Sequence, residues 1–239
     1  MDSIGSIEEI QLLTVIMPVF NERRTIRTSI ERLLKADLPI LIEVLVVDDG
    51  STDGTSEVVE ELATGEPIRV MRHTRNRGKG AAIRTGIQEA RGDIVTVLDG
   101  DLEYDPSDYR HLLEPIMNGQ SKVAYGTRSF GAHTAYSFWF VLGNKVLALW
   151  TSFLFNTWLS DIETCFKMAH TEVWRSLGLR DNGFGIEAEI TAKLLRSGQR
   201  IWEVPISYSA RARSEGKKLR WTDGVRALWV IFRIRILGR

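Results

Sequence analysis

The sequence is poor in the groups that mark several large protein classes. Cys165 is its single cysteine, so no internal disulfide framework exists and a reducing compartment is expected. Its four histidines, His73, His111, His133 and His170, are scattered without paired ligand spacing, which argues against zinc catalysis. No Pro-, Gly- or Ser-rich linker, low-complexity segment or repeat divides the 239 residues, so one domain is the simpler organisation.

Long hydrophobic runs are also scarce. The longest apolar neighbourhood, Tyr136 to Leu159, is broken by Asn144, Lys145 and Asn156, short of the ~18 uninterrupted residues expected of a spanning helix. It is not expected to cross a membrane; its aromatic residues suit a ridge lying on one, with ordinary core or a dimer interface as the alternative. The N-terminal MDSIGSIEEIQ has neither a basic region nor an apolar segment, so no secretory signal is expected. A cytoplasmic location, peripheral at the inner face of the membrane, follows as an expectation. No nucleic-acid partner is expected, and a homo-oligomer is left open.

Net charge is the last thing missing: 31 Lys and Arg balance 31 Asp and Glu. The balance hides an asymmetry. Arg200 to Arg239 carries ten basic residues against Glu203, Glu215 and Asp223, so a tail of +7 follows a body of −7.

What the chain does have is alternation. LLTVIMPVF, Leu12 to Phe20, is a continuous apolar run with β-branched residues, the pattern of a strand covered on both faces. After Asn21, Ile26, Ile30, Leu33 and Leu34 recur at helical spacing. LIEVLVVDDGSTDGT repeats the plan, with a strand ending at Val47 and a helix from about Thr55. PIRVMRH, a small-residue helix after NRGKG, and Asp93 to Leu98 continue it. Strands alternating with helices imply a mostly parallel sheet, and ligands bind such sheets beyond the C-terminal strand ends. Further strands are predicted at Ser121 to Arg128, in DIETCFKMAH and in RIWEVPISYSAR, the last two separated by a helix from Gly185 to Ser197.

VTVLDGDLEYDP turns this pattern into chemistry. A buried strand runs into Asp99, Asp101 and Glu103 at alternate positions. Along an extended chain such side chains project to one side, and three like charges at one point repel unless a cation lies between them. Mg²⁺ or Mn²⁺ takes carboxylate oxygens and shares them with substrate phosphates. The plainer alternative is a solvated turn leading into Asp105-Pro106.

MPVFNE, VVDDGSTDGT, NRGKGAA, VLDGDLEYDP and YGTR, in this order and at this spacing, resemble the family 2 glycosyltransferases of the GT-A fold. The resemblance runs from about Thr14 to Lys218. Within that family the chain looks most like the polyprenyl-phosphate hexosyltransferases, the group that includes the dolichol-phosphate mannose synthases. The resemblance implies an α/β, Rossmann-like, mostly parallel sheet flanked by helices, as a single domain over 1–239. Residues 12–128 would hold the nucleotide sugar, 129–220 the acceptor, and 221–239 would form an amphipathic tail.

The same resemblance implies roles. Pro18, Phe20 and Glu22 would lie against the nucleotide, with Val47 and Asp49 near its base and ribose. Asp99, Gly100 and Asp101 would bind the diphosphate through Mg²⁺ or Mn²⁺, with Glu103 as a further ligand. Arg128 would face phosphate. PISYSARARSEGKKL resembles the relatives' proline-led strand followed by Arg, a Gly-containing loop and Lys, so Arg211 would match that arginine and Lys217 or Lys218 the lysine. The implied reaction is inverting, metal-dependent transfer of a hexose from UDP-glucose or GDP-mannose to polyprenyl phosphate. DIETCFK looks nearer the glucosyl relatives, a lean toward UDP-glucose.

A sugar leaving a nucleoside diphosphate passes through an oxocarbenium-like state while negative charge grows on the diphosphate. A cation and fixed donors at those oxygens stabilise it. A phosphate monoester acceptor, with a second pKa near ~6, is already a nucleophile at neutral pH and needs no general base. A saccharide or other hydroxyl acceptor, the rival reading, would want one. Asp161 and Glu163 are candidates for that role, against a reading of SDIETCFK as a turn with Glu163 solvated.

Gly78, Lys79 and Gly80 precede a helix and are a candidate anion cradle, although the spacing is not that of a P-loop; a flexible loop is the alternative. No G-x-G-x-x-G follows the first strand, which argues against a dinucleotide-dependent dehydrogenase. A binding module without activity is the remaining rival, and the acidic trio argues against it. Finally, GVRALWVIFRIRILGR joins aromatic and basic residues on one predicted helix, as in helices drawn to anionic lipid.

Overall fold

The structure is a computed structural model and describes residues 10–65, 67–129, 138–210 and 221–238. The first apolar run forms β1 (Leu12–Val19), buried from Leu13 to Met17 without alternation, because both faces of the strand are covered. α1 (Ile26–Leu34) packs back through Ile26, Ile30 and Leu33. β2 (Leu41–Asp48), α2 (Thr55–Leu62), β3 (Ile68–Arg72), α3 (Lys79–Glu89) and β4 (Ile94–Val97) complete the predicted βαβ run. β3, β2, β1 and β4 are mutually parallel neighbours, with Ile16 opposite Leu45 on one side and Val97 on the other. The register brings the polar ends of these strands to one edge.

The later elements are α4 (Tyr109–Met117), β5 (Val123–Thr127), α5 (Phe138–Phe155), β6 (Lys167–His170), α6 (Thr171–Ser176), α7 (Ile186–Arg196), β7 (Ile201–Pro205) and α8 (Trp221–Leu237). The seven strands form one sheet in the order β3-β2-β1-β4-β6-β5-β7. β6 is wedged between β4 and β5 and runs antiparallel to both, while β7 lies parallel to β5. The sheet is mostly parallel, as expected, with one strand reversed.

One expectation needs correction here. Only Lys167–His170 of DIETCFKMAH joins the sheet, because the preceding residues find partners elsewhere: Arg128 grips Asp161, and the Cys165 amide donates to the Tyr104 hydroxyl at 3.1 Å. Backbone groups satisfied by side chains have no need of a ladder. The C-terminal segment forms the expected helix, and one face of it is buried. α8 packs Ala227, Val230, Ile231 and Ile234 against Leu147 and Ala148 of α5 and Ala188 and Ala192 of α7, making a second core beside the sheet.

α5 is one 18-residue helix that is long and apolar enough, by length and composition, to cross a membrane. The sequence reading demanded an unbroken run; the helix meets the compositional requirement despite Asn144 and Lys145. Its Leu147, Ala148, Thr151 and Ser152 are buried against the body. Trp139, Leu142, Val146, Leu149 and Phe153 are exposed, at a spacing that makes one stripe.

Candidate active site

A cavity of about 380 Å³ opens at the C-terminal ends of β1 and β4, where sheets of this kind bind ligands. Its walls come from separate parts of the chain: Pro18, Phe20 and Glu22 after β1; Asp49 after β2; Gly78 and Lys79 at the head of α3; Asp99 to Glu103 after β4. Arg128, Glu163, Cys165, Glu187 and Tyr208 close the far side, and Phe140 enters from α5.

The loops around it are locked by their own polar side chains. Asn21 adopts a left-handed φ of 56°, which Asn tolerates better than most residues. Its amide donates to Ser51 Oγ at 3.0 Å and its Oδ1 accepts from the Thr52 amide at 2.9 Å, tying the β1 end to the β2 end. Asp49 accepts from the amides of Arg77 at 2.9 Å and Gly78 at 2.7 Å and faces His73 Nδ1 at 2.6 Å. Asp49 therefore lines the cavity, yet its carboxylate is engaged in fixing the loop that leads into α3.

That loop presses on the segment before α7. A Cβ at Gly78 would lie 2.2 Å from the Asn182 carbonyl oxygen, and Gly78 has a φ of +98°, so no other residue fits. The Asn182 carbonyl accepts from the amides of Gly80 and Ala81 at 2.8 and 3.3 Å. Two of the amides that the sequence reading offered to an anion, those of Gly78 and Gly80, are thus taken. Lys79 contributes instead through its side chain, which reaches Asp99 Oδ2 at 2.8 Å and Glu187 Oε1 at 3.3 Å.

The acidic segment is a turn, not an extended strand. Leu102 has a φ of 65° and the Glu103 amide donates to Asp101 Oδ1 at 3.1 Å. Glu103 is directed to Tyr208, whose hydroxyl donates to its Oε2 at 2.6 Å; burial and this partner push the tyrosine well above its ordinary pKa. Among the described residues no three His, Cys, Asp or Glu side chains converge as a metal cluster. The expectation of three carboxylates on one point therefore fails, because the backbone curls after Gly100. Asp99 and Asp101 remain together on the cavity wall. Two carboxylates completed by phosphate oxygens suit Mg²⁺ or Mn²⁺, so the donor set fits such an ion as a pair, without Glu103.

Arg128 is held from behind. Its Nε and Nη2 donate to Asp161 Oδ2 and Oδ1 at 2.7 and 2.8 Å, and its amide reaches Oδ2 at 3.1 Å. Its guanidinium stacks 5.0 Å from the centre of the Tyr208 ring. Asn144 of α5 donates to Asp161 Oδ1 at 2.9 Å. Burial pushes the Asp161 carboxyl up, but the charge and hydrogen bonds of Arg128 outweigh this and hold it below the usual range. Asp161 is an anchor for Arg128 and is too committed to take a proton.

Behind Lys79 runs a buried file of alternating charge. Glu187 Oε2 accepts from Lys167 Nζ at 2.5 Å, and Lys167 also donates to the Thr164 carbonyl. Beside this file lies Glu163, half-buried as a residue, whose Oε1 is buried without a hydrogen-bond partner among the described residues. Burial pushes its pKa up to about 7. It is not the solvated turn residue of the sequence reading.

The family model of glycosyl transferase family 2 matches residues 14–172, which include the β1 end, the acidic turn, Arg128 and Glu163. The chain belongs to glycosyl transferase family 2. It is 33% identical over 210 residues to a dolichol-phosphate mannosyltransferase of Pyrococcus furiosus, covering 86% of this chain and 58% of that protein. It is 30% identical over 218 residues to a polyprenol monophosphomannose synthase of Mycolicibacterium smegmatis, covering 87% and 81%. The chain thus spans little more than half the length of the Pyrococcus relative. Among solved structures, a glucosyl-3-phosphoglycerate synthase of Mycobacterium tuberculosis with Mn²⁺, UDP and glucosyl-3-phosphoglycerate has a TM-score of 0.71 at 20% identity, over 94% of this chain and 80% of that one. A mannosyltransferase of Pyrobaculum calidifontis with GDP-Man and Mn²⁺ has a TM-score of 0.64 at 21% identity, over 85% and 58%. The GT-A fold expected of this family 2 member is the one observed.

The structure gathers Pro18, Phe20, Glu22, Asp49, Asp99, Gly100, Asp101, Glu103 and Arg128 around one cavity. Val47 is fully buried in the core of the sheet, away from that lining. Arg211, Lys217 and Lys218 lie outside the described residues. Sequence reasoning missed Glu187 and Tyr208. Glu187 carried one usable signal, since an acidic residue beside Ile186 and Ala188, both buried, is expensive unless it is paired.

Proposed function

We propose that this chain transfers a hexosyl group, with inversion, from a nucleoside diphosphate sugar to a polyprenyl phosphate at a membrane surface. The observation that carries the proposal is a junction. Phe140 belongs both to the cavity wall and to α5, whose exposed stripe of Trp139, Leu142, Val146, Leu149 and Phe153 leads away from the acidic turn. A phosphate head in the cavity and an apolar chain along α5 suit one amphiphilic acceptor. The names of the two curated relatives, one acting with dolichol phosphate and one with polyprenol, support the same class.

In this reading Asp99 and Asp101 would hold Mg²⁺ or Mn²⁺ against the donor diphosphate; the two fold relatives contain Mn²⁺ with UDP or GDP-Man. Bound there, the ion would neutralise charge developing on the leaving diphosphate. Pro18, Phe20 and Glu22 border the nucleotide side. Arg128, fixed by Asp161, faces the cavity as a preorganised cation, which needs no rearrangement as charge develops. A phosphate acceptor needs no base, and the engagement of Asp161 agrees with that. The donor is UDP-glucose or GDP-mannose. α8, with Val225, Trp229 and Ile236 exposed beside Arg226 and Arg235, would rest on the same lipid surface.

Purified protein incubated with a panel of nucleotide sugars, Mg²⁺ or Mn²⁺ and a polyprenyl phosphate, with the lipid product weighed by mass spectrometry, tests the proposal. A hexosyl-phosphoprenol is expected. Transfer only to soluble sugars or lipid hydroxyls would overturn it in favour of a hydroxyl acceptor.

A further inference from the structure

Glu163 has no role in the scheme above, yet it is placed where a role is needed. It lines the cavity with Arg128, Asp101 and Tyr208, and its Oε1 is buried without a partner among the described residues. A buried ionised carboxylate demands a cation or several donors. Among the described residues the neighbouring cations are already engaged: Arg128 with Asp161, Lys167 with Glu187, and Lys79 with Asp99 and Glu187.

The charged groups facing it come from four directions. Arg128 stands at the end of β5, Lys167 on β6, Glu187 on α7, and Asp161 in its own loop. The two cations favour ionisation and the two carboxylates oppose it, and burial is the largest single influence. A second anion brought into the cavity would favour the neutral form further.

We propose that Glu163 keeps its proton and, as a neutral carboxylic acid, donates a hydrogen bond to a phosphate oxygen of the acceptor. This rests on the reading of the acceptor as a prenyl phosphate. Besides Glu163 the cavity carries Glu22, Asp49, Asp99, Asp101, Glu103 and Glu187 and must also admit the diphosphate of the donor. A further ionised carboxylate would repel a phosphate dianion; a protonated one becomes a donor beside Arg128. A neutral acid used as a hydrogen-bond donor in an apolar site is an established device. Glu163 is then a binding group for the acceptor and not a general base, and Gln, which keeps a donor of the same reach, should replace it.

The test is calorimetric binding of a short, water-soluble prenyl phosphate to wild type, E163Q and E163A from pH 5.5 to 9, with transfer kinetics alongside. For wild type, affinity should fall as pH rises beyond about 7, where Glu163 loses its proton. E163Q should bind within about threefold of wild type at neutral pH and lack that alkaline limb. E163A should lose about tenfold to a hundredfold in acceptor affinity, with donor KM little changed. Infrared difference spectra of wild type against E163Q should show a protonated carboxyl band at pH 6 that fades by pH 9, independently of whether E163A folds. If wild type binds the prenyl phosphate but E163Q is as weak as E163A, or the alkaline limb persists in E163Q, the proposal falls and the acceptor reading stands. If wild type binds no prenyl phosphate and glycosylates a saccharide hydroxyl instead, both fall together.

Discussion

Arg128 and Asp161 meet along two parallel bonds, Nε to Oδ2 at 2.7 Å and Nη2 to Oδ1 at 2.8 Å, and this pair staples the end of β5 to the loop before β6. Asp161 is fully buried and Arg128 nearly so. Such a pair is weak evidence for net stability, but losing one partner strands the other. Asp161→Ala is therefore expected to destabilise the fold by about 3–5 kcal/mol, measured as a shift in urea midpoint. A loss under about 1 kcal/mol would mean that water readily replaces the carboxylate.

Asp101 is a different case, since it stands on the open wall of the cavity in a turn. Asp101→Ala should abolish turnover that depends on Mg²⁺ or Mn²⁺ while leaving the thermal midpoint within a few degrees. Product formation by mass, with and without EDTA, checks this. Activity at the wild-type level would remove Asp101 from the ion's ligand set.

Lys79 sits on the carboxylate that the ion would use, Nζ to Asp99 Oδ2 at 2.8 Å. With no ion present it pairs with both Asp99 and Glu187, so an arriving cation competes with it for Asp99. Lys79→Met should tighten Mn²⁺ binding in the absence of donor by about tenfold, equivalent to about 1.4 kcal/mol, while lowering transfer. Electron paramagnetic resonance of free Mn²⁺ during titration measures the first effect apart from catalysis. Unchanged affinity would show that the lysine and the ion do not share the aspartate.

The first half of this architecture could be read from the chain because its signals are local. Continuous apolar runs with β-branched residues gave β1, β2 and β4, and the polar residues just beyond each strand end mark the cavity. The second half depends on pairings over long separations. Nothing in KMAH announces that it runs antiparallel between β4 and β5, and burial of Lys167 contradicts every expectation for a lysine until Glu187 is seen beside it. The acidic turn was found by pattern but misjudged in shape, because alternate spacing implies convergence only in extended backbone, and Leu102 reverses the chain. Glu163 looked like a solvated turn residue because its burial comes from distant elements, α7 and the β5 end.

The exposed faces of α5 and α8 make the last prediction. Trp139 and Phe153 are 73% and 79% exposed, and Trp229 is 57% exposed, far more than an aromatic side chain gains by standing in water. Val225, Trp229 and Ile236 make an outward stripe on α8, while Ala227, Val230, Ile231 and Ile234 occupy the inward one, so the helix is apolar on two sides. Each large apolar side chain inserted into a lipid interface contributes about 1.5–3 kcal/mol. Trp139→Glu combined with Phe153→Glu should therefore weaken binding to vesicles by about a hundredfold or more, with the circular dichroism spectrum retained. Vesicles of phosphatidylcholine with phosphatidylglycerol, sedimented at low and high salt, provide the measurement. Lys145, Arg226 and Arg235 lie on these same helices, so salt should weaken wild-type binding by screening their attraction to anionic headgroups without abolishing it, because the aromatic part is indifferent to screening. Equal sedimentation of wild type and the double variant would show that α5 does not meet the lipid.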